Sequence, residues 1–196
     1  MEKMDLISRW GKIVLASGSP RRKELLRQAV PEFVIITADV PETVPEGTPP
    51  HLACMFNAFR KASAVAGQLE AGLVIGADTI VYDRRILGKP ADEQDAAETL
   101  RALRNRAHQV MTGVSLISAD GTVRRVFYDV TEVTFGEYSD EEIAAYVRSG
   151  EPMDKAGSYA IQGSWRSHVT AVEGSLSNVI GLPMEMLVKE LAGLTG

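Results

Sequence analysis

Ile13-Val14-Leu15-Ala16-Ser17-Gly18-Ser19-Pro20-Arg21-Arg22-Lys23-Glu24-Leu25-Leu26 is the stretch from which the fold is read. Its apolar opening predicts a short buried strand, its small-residue corner a turn, and its second half a helix. Ser19 suits the N-cap, and Pro20 suits the first helical position, where a missing N–H costs nothing. Arg21, Arg22 and Lys23 then crowd the first turn, where the helix dipole already repels positive charge. An anion at the helix start resolves that conflict. Backbone N–H groups, the hydroxyls of Ser17 and Ser19 and two guanidinium groups make a cradle for phosphate. The plainer alternative is a surface helix whose arginines reach into solvent.

Working outward, 196 residues suit a single domain spanning 1–196, long enough to bury a full core. A net charge of −5 argues against broad affinity for nucleic acid or an anionic membrane, so any phosphate site must be a local basic pocket. Cys54 is the sole cysteine, which excludes an intrachain disulfide and a cysteine zinc site. Met1-Glu2-Lys3-Met4-Asp5 is polar and lacks the apolar run of a signal peptide. No segment approaches the roughly 20 apolar residues of a membrane helix. The expectation is a cytoplasmic protein.

Phe33-Val34-Ile35-Ile36 predicts a second strand. The Pro- and carboxylate-rich loop after it, from Ala38 to Gly47, is either a solvated connection or a cover for a phosphate cleft. In the second case Asp39 or Glu42 could help hold a divalent ion, because Mg²⁺ favours one or two carboxylates plus substrate oxygens. From Pro50 to Gly67 the pattern is helical, with Leu52, Met55, Phe56, Phe59, Ala62 and Ala66 as the apolar stripe. Lys61 lies about 200° around from Phe59, with Asn57 one turn before it on the same side. That places the pair on the wet face, of interest only if the face overlooks a cleft.

Leu73-Val74-Ile75-Gly76-Ala77-Asp78-Thr79-Ile80-Val81-Tyr82 is a buried-strand pattern broken at its middle. A carboxylate embedded there is costly unless it is paired or hydrated. Asp78 is therefore the first candidate for chemistry; the alternative is an aspartate satisfied by neighbouring backbone amides. Asp83-Arg84-Arg85 predicts a hairpin turn, and Gly88-Lys89-Pro90 ends the returning strand, bringing Lys89 near Asp78 if the two strands pair. A P-loop is absent.

A helix capped by Asp92 runs to about Arg106 with Ala96, Leu100 and Leu103 inward; Val110 to Ser118 is a strand, and Val123 to Phe135 supplies one or two more. Ser139-Asp140-Glu141-Glu142 is a capping box for a helix ending at Gly150. In the segment Gly150 to Gly163, Gln162 offers both a donor and an acceptor for the edge of a base. A Gly/Ser/Asn corner precedes a closing helix that starts at Pro183 and turns Leu187 and Leu191 inward. His51, His108 and His168 are widely spaced, without metal-ligand spacing.

Leu15-Ala16-Ser17-Gly18-Ser19-Pro20-Arg21-Arg22, Gly76-Ala77-Asp78-Thr79, Leu87-Gly88-Lys89-Pro90, Asp154-Lys155-Ala156-Gly157 and Ser177-Asn178-Val179-Ile180-Gly181-Leu182-Pro183 together resemble the Maf family of nucleoside triphosphate pyrophosphatases. The resemblance implies an α/β fold: a mixed, elongated β-sheet flanked by helices with a central cleft, like that of the inosine triphosphate pyrophosphatases. It also implies hydrolysis of a nucleoside triphosphate between its α- and β-phosphates, with Mg²⁺ or Mn²⁺. By matching position, Asp78 would be the general base and share the metal with Glu42, and Lys61 and Lys89 would join it in catalysis. Ser17, Ser19, Arg22 and Lys155 would line the phosphates, and Arg21, Thr79 and Gln162 would set base preference. The segment from Asp154 to Gly163 is similar to the dTTP/UTP branch. Ser158, Ala160 and Leu176 depart from that branch's commonest residues. A 7-methyl-GTP pyrophosphatase, or a non-catalytic nucleotide-binding regulator of septum formation and cell division, is the alternative. The family also suggests a homodimer.

Overall fold

A computed structural model describes residues 7–195; the polar run at Met1–Asp5 lies outside them. In order come α1 (Ile7–Trp10), β1 (Ile13–Leu15), α2 (Pro20–Arg27), β2 (Val34–Ile35), α3 (Pro50–Ala66), β3 (Leu73–Asp83) and β4 (Arg85–Leu87). Next are α4 (Glu93–Leu103), β5 (Ala107–Ser118), β6 (Arg124–Phe135) and α5 (Asp140–Arg148). Short 3₁₀ turns lead to β7 (Val169–Glu173), α6 (Leu176–Ile180) and α7 (Met184–Thr195). The architecture is mixed α/β, as the motifs imply. One seven-stranded sheet has the order β2-β1-β3-β5-β6-β7, with β4 pairing β3 off this path. β1 pairs in parallel with both β2 and β3, whereas β3–β4 and β6–β7 are antiparallel. No helix among the described residues is long and apolar enough to cross a membrane.

The chain divides into two compact units. The first holds the described residues up to Asp78, then Thr112–Asp129 and those from Gly181 onward; the second holds Thr79–Met111 and Val130–Ile180. In the first, Val14, Ala16, Ala62, Val65, Val74 and Ile117 form a buried cluster. The second has an aromatic core, in which Phe135, Tyr138, Tyr146, Tyr159 and Trp165 pack with Leu100, Leu103 and Ile143.

The local signals place the helix ends well. Ser19 Oγ accepts from the Arg22 amide with Pro20 in the first turn of α2, and Asp92 caps α4. Ser139 and Glu142 form the reciprocal capping box of α5. β3 carries Gly76-Ala77-Asp78-Thr79 inside one strand, as expected, and of the two readings offered for Val123 to Phe135 the single strand holds. Other expectations need correction. α4 stops at Leu103, three residues short of Arg106, because Asn105 turns left-handed with φ 54°.

The largest correction concerns α3. Leu52 and Phe56, expected inward, are exposed, while Ala53, Cys54, Asn57, Ala58, Ala62 and Val65 are buried. Two glycines explain this reversal. A Cβ on Gly76 would lie 2.5 Å from the Ala58 carbonyl oxygen, and one on Gly113 would lie 2.5 Å from the backbone of Cys54 and Met55. The α3 backbone therefore rests directly on the strands, and only small side chains fit between. That contact carries Asn57 and Lys61 against β3, although the large apolar side chains pointed the other way.

Candidate active site

Side chains two apart on a strand share a face. Since Gly76 faces α3, Asp78 faces it too. Asp78 is 7 % exposed. Its Oδ1 accepts from Lys61 Nζ at 2.7 Å, and its Oδ2 accepts from Asn57 Nδ2 at 3.1 Å. Asn57 and Lys61 stand one helical turn apart, the spacing at which α-helical side chains meet. Lys61 Nζ also reaches Glu42 Oε1 at 2.9 Å. Asn57 Nδ2 donates in addition to the Glu42 carbonyl at 3.3 Å, tying the 38–47 loop to the helix. Thus Asp78, Lys61 and Glu42 form one charged cluster, and Asn57 belongs to it. Sequence reasoning placed Asn57 on the wet face; its spacing from Lys61 was the available signal.

Around α2, Ser17, Ser19 and Arg22 come together. Arg22 Nη1 donates to Ser17 Oγ at 3.1 Å, and Arg22 Nε donates to the Gly181 carbonyl at 2.8 Å. The Ser19 amide donates to Ser17 Oγ at 3.3 Å. Burial lowers the Arg22 guanidinium from its usual range, and the negative charge of Asp78 is the largest opposing influence. An arginine with both burial and a nearby carboxylate stays cationic at any ordinary pH. Arg21 is half-buried in the first turn of α2.

The second unit carries the remaining candidates. β3 and β4 pair with Val81 opposite Leu87, so the chain beyond β4 turns back along β3 in the direction of Thr79. Thr79 is partly buried, whereas Lys89 is exposed. The Gly157 amide donates to the Gly88 carbonyl at 3.1 Å, which joins the segment bearing Lys155 to the one bearing Lys89. Lys155 Nζ is occupied by the Glu151 carbonyl at 2.7 Å and Asp154 Oδ1 at 2.5 Å. Gln162 is exposed at the tip of the bend that follows.

His108 and Cys54 stand apart from the charged cluster. His108 is buried against Phe135 and Tyr159, its Nε2 2.8 Å from the Tyr159 hydroxyl, and burial pushes it down to about 4. Burial pushes the Cys54 thiol up to about 12, leaving it inert as a nucleophile.

A family described as Maf-like protein matches residues 12–194 of this sequence. The chain belongs to the Maf family. Among its relatives, a dTTP/UTP pyrophosphatase of Bacillus cereus (strain AH820) is 52 % identical over 181 residues, covering 92 % of this chain and 94 % of that protein. A dTTP/UTP pyrophosphatase of Bacillus anthracis is 51 % identical over the same coverage. A HAM1 protein from Coxiella burnetii superposes with a TM-score of 0.50 at 18 % identity, covering 94 % of this chain and 98 % of that one. This last likeness concerns the fold alone, and agrees with the expected relation between Maf and inosine triphosphate pyrophosphatase architectures.

For a Maf chain the donor set bears on a metal. Among the described residues no three His, Cys, Asp or Glu side chains group to hold an ion. Two carboxylates, Asp78 and Glu42, do converge on Lys61, and the buried Oδ1 of Asn57 beside them has no hydrogen-bond partner. Such a set fits Mg²⁺ or Mn²⁺ arriving with a phosphate ligand, since a small hard cation takes one or two carboxylates and completes its shell with phosphate and water oxygens.

Proposed function

We propose that this chain is a nucleoside triphosphate pyrophosphatase that hydrolyses dTTP and UTP to the monophosphate and pyrophosphate. The observation that carries the reading is Asp78, a nearly buried carboxylate held on one oxygen by Lys61 and on the other by Asn57. Relatives 51–52 % identical across nine-tenths of the chain bear the name of that activity.

In this reading Asp78 acts as general base. It orients a water and takes its proton while the water oxygen bonds to phosphorus. The bridging P–O bond breaks, and its electron pair leaves with pyrophosphate. Lys61 keeps Asp78 and Glu42 from repelling each other and presents positive charge to the phosphates. Arg22, fixed by Ser17 and Gly181, stabilises charge on the triphosphate without reorganising in the transition state. Ser19 and Arg21 sit in the same helix start, and Lys89 and Lys155 are read as further phosphate ligands by their match to the family's motifs. For Lys155 this means exchanging Asp154 for a phosphate oxygen. Thr79 and Gln162 contribute base preference. Glu42 and Asp78 would hold the divalent cation, which when bound supplies further charge neutralisation on the leaving group.

The same reading treats 1–196 as one catalytic domain working in the cytoplasm on free nucleotides, with a homodimer as its assembly. Incubation with dTTP, UTP or 7-methyl-GTP plus Mg²⁺, followed by assay of monophosphate and pyrophosphate, tests it. Turnover of dTTP and UTP is expected. Turnover confined to 7-methyl-GTP, or binding without turnover, overturns it in favour of the other branch or of a regulator.

A further inference from the structure

Gln162 sits on a short bend whose two feet are held by the same pair of side chains. Tyr146, on the last turn of α5, accepts from the Ala160 amide at 3.1 Å and donates its hydroxyl proton to Glu151 Oε1 at 3.3 Å. Glu151 Oε2 in turn accepts from Ser164 Oγ at 2.9 Å and from the Ser164 amide at 3.5 Å. Gly150, with φ 74°, reverses the chain so that Glu151 comes back beside Tyr146. Within the bend the Gly163 amide closes onto the Ala160 carbonyl at 3.1 Å. Gly163 leaves room for the carboxylate, because a Cβ there would lie 1.6 Å from Glu151 Oε1.

We infer that Tyr146 and Glu151 are positioning residues for base selection, a phenol–carboxylate brace that fixes the 160–164 bend and with it the direction of the Gln162 amide. The inference rests on the reading of Gln162 as a base contact. The energetic logic is that of preorganisation. An exposed glutamine on a loose bend would spend binding free energy on being ordered, whereas one on a bend tied at both feet does not. Tyr146 itself is rigid, stacked on Trp165 with ring centres 4.6 Å apart. Burial raises its phenol, so it remains a donor to Glu151 throughout the working pH range. Neither residue is needed for the phosphoanhydride chemistry, so their loss falls on discrimination between bases.

The test compares kcat/KM for UTP with that for GTP across four variants beside the wild type. Tyr146→Phe keeps the ring on Trp165 and removes only the hydroxyl. Glu151→Ala removes the carboxylate, and Glu151→Gln restores an acceptor of the same shape. Gly163→Ala pushes the carboxylate aside without altering any member of the brace. The expected result is a fall in the UTP/GTP ratio of about tenfold in Glu151→Ala, from the loss of hydrogen bonds to a charged group. Gly163→Ala and Tyr146→Phe lower it by about threefold, and Glu151→Gln regains most of the loss, all on the scale of a single hydrogen bond. The loss appears in the KM for UTP more than in kcat. Gln162→Ala is run alongside. If the ratio moves in Gln162→Ala but stays put in all the brace variants, the brace is overturned and the base contact survives. If it stays put in Gln162→Ala, both are overturned. A parallel fall in kcat for both nucleotides with the ratio unchanged, at whatever melting temperature, also overturns the brace.

Discussion

The two units spend their buried polar groups in opposite ways. In the first, the α3–β3 contact buries a carboxylate and encloses an ammonium group, and it leaves Asn57 Oδ1 without a partner. In the second, the polar groups within the aromatic core are neutral: His108 bonds Tyr159, and the Tyr138 hydroxyl donates to the Leu100 carbonyl at 2.6 Å. Enclosed charge with spare lone pairs costs stability and is kept where a ligand completes it. The second unit also leaves buried atoms without partners, Ser158 Oγ and Trp165 Nε1 among them, but these are neutral and cost far less to enclose than a charge. The difference sets enclosed charge apart from neutral structural polarity within one chain, which residue type alone does not do.

Four changes can break or sharpen that contrast, taken in falling order of free energy. Asp78→Asn should lower pyrophosphate release by about 10³-fold, the scale of a lost general base, with thermal unfolding little changed because Lys61 keeps Glu42. A variant that still turns over, or one that fails to fold, erases the distinction. On the structural side, His108 is neutral when buried and has an ordinary value of 6.5 when unfolded. Below 6.5 the unfolded chain gains protons that the folded chain refuses until about 4, so stability falls with pH across that interval. At about 1.4 kcal/mol per pH unit the loss reaches roughly 3 kcal/mol. Urea unfolding at pH 7 and pH 4.5 measures it, and His108→Gln should flatten the slope while leaving neutral-pH turnover near normal.

Arg22→Ala should cost about 10²-fold in kcat/KM, comparable to removing one preorganised donor, and a steady-state assay reads it directly. Asn57→Leu keeps the volume and removes the amide; about a tenfold loss in kcat/KM is expected, the worth of a hydrogen bond to a charged group. If Asn57→Leu is instead silent in kinetics and raises the melting temperature, Asn57 belongs with the structural polarity.

Much of this was legible in the sequence because it is local. Ser19 with Pro20, Asp92, and Ser139 with Glu142 each set a helix start within a few residues, and each forms as expected. The five motifs placed Asp78 and Arg22 at the centre. What could not be read was the face that α3 buries. Its orientation is decided by Gly76 and Gly113, the second more than forty residues beyond the helix, and these let the backbone approach so closely that Ala and Cys outcompete Leu52 and Phe56. Asn57 was misjudged for the same reason. Glu151 and Tyr146 escaped notice because their partnership depends on how the chain folds back after Gly150.

Arg22 is steadied by the carbonyl of Gly181, 159 positions later. Two anchors set far apart along the chain, Ser17 and Gly181, therefore fix one guanidinium, so a change near either end of that span reaches the same side chain.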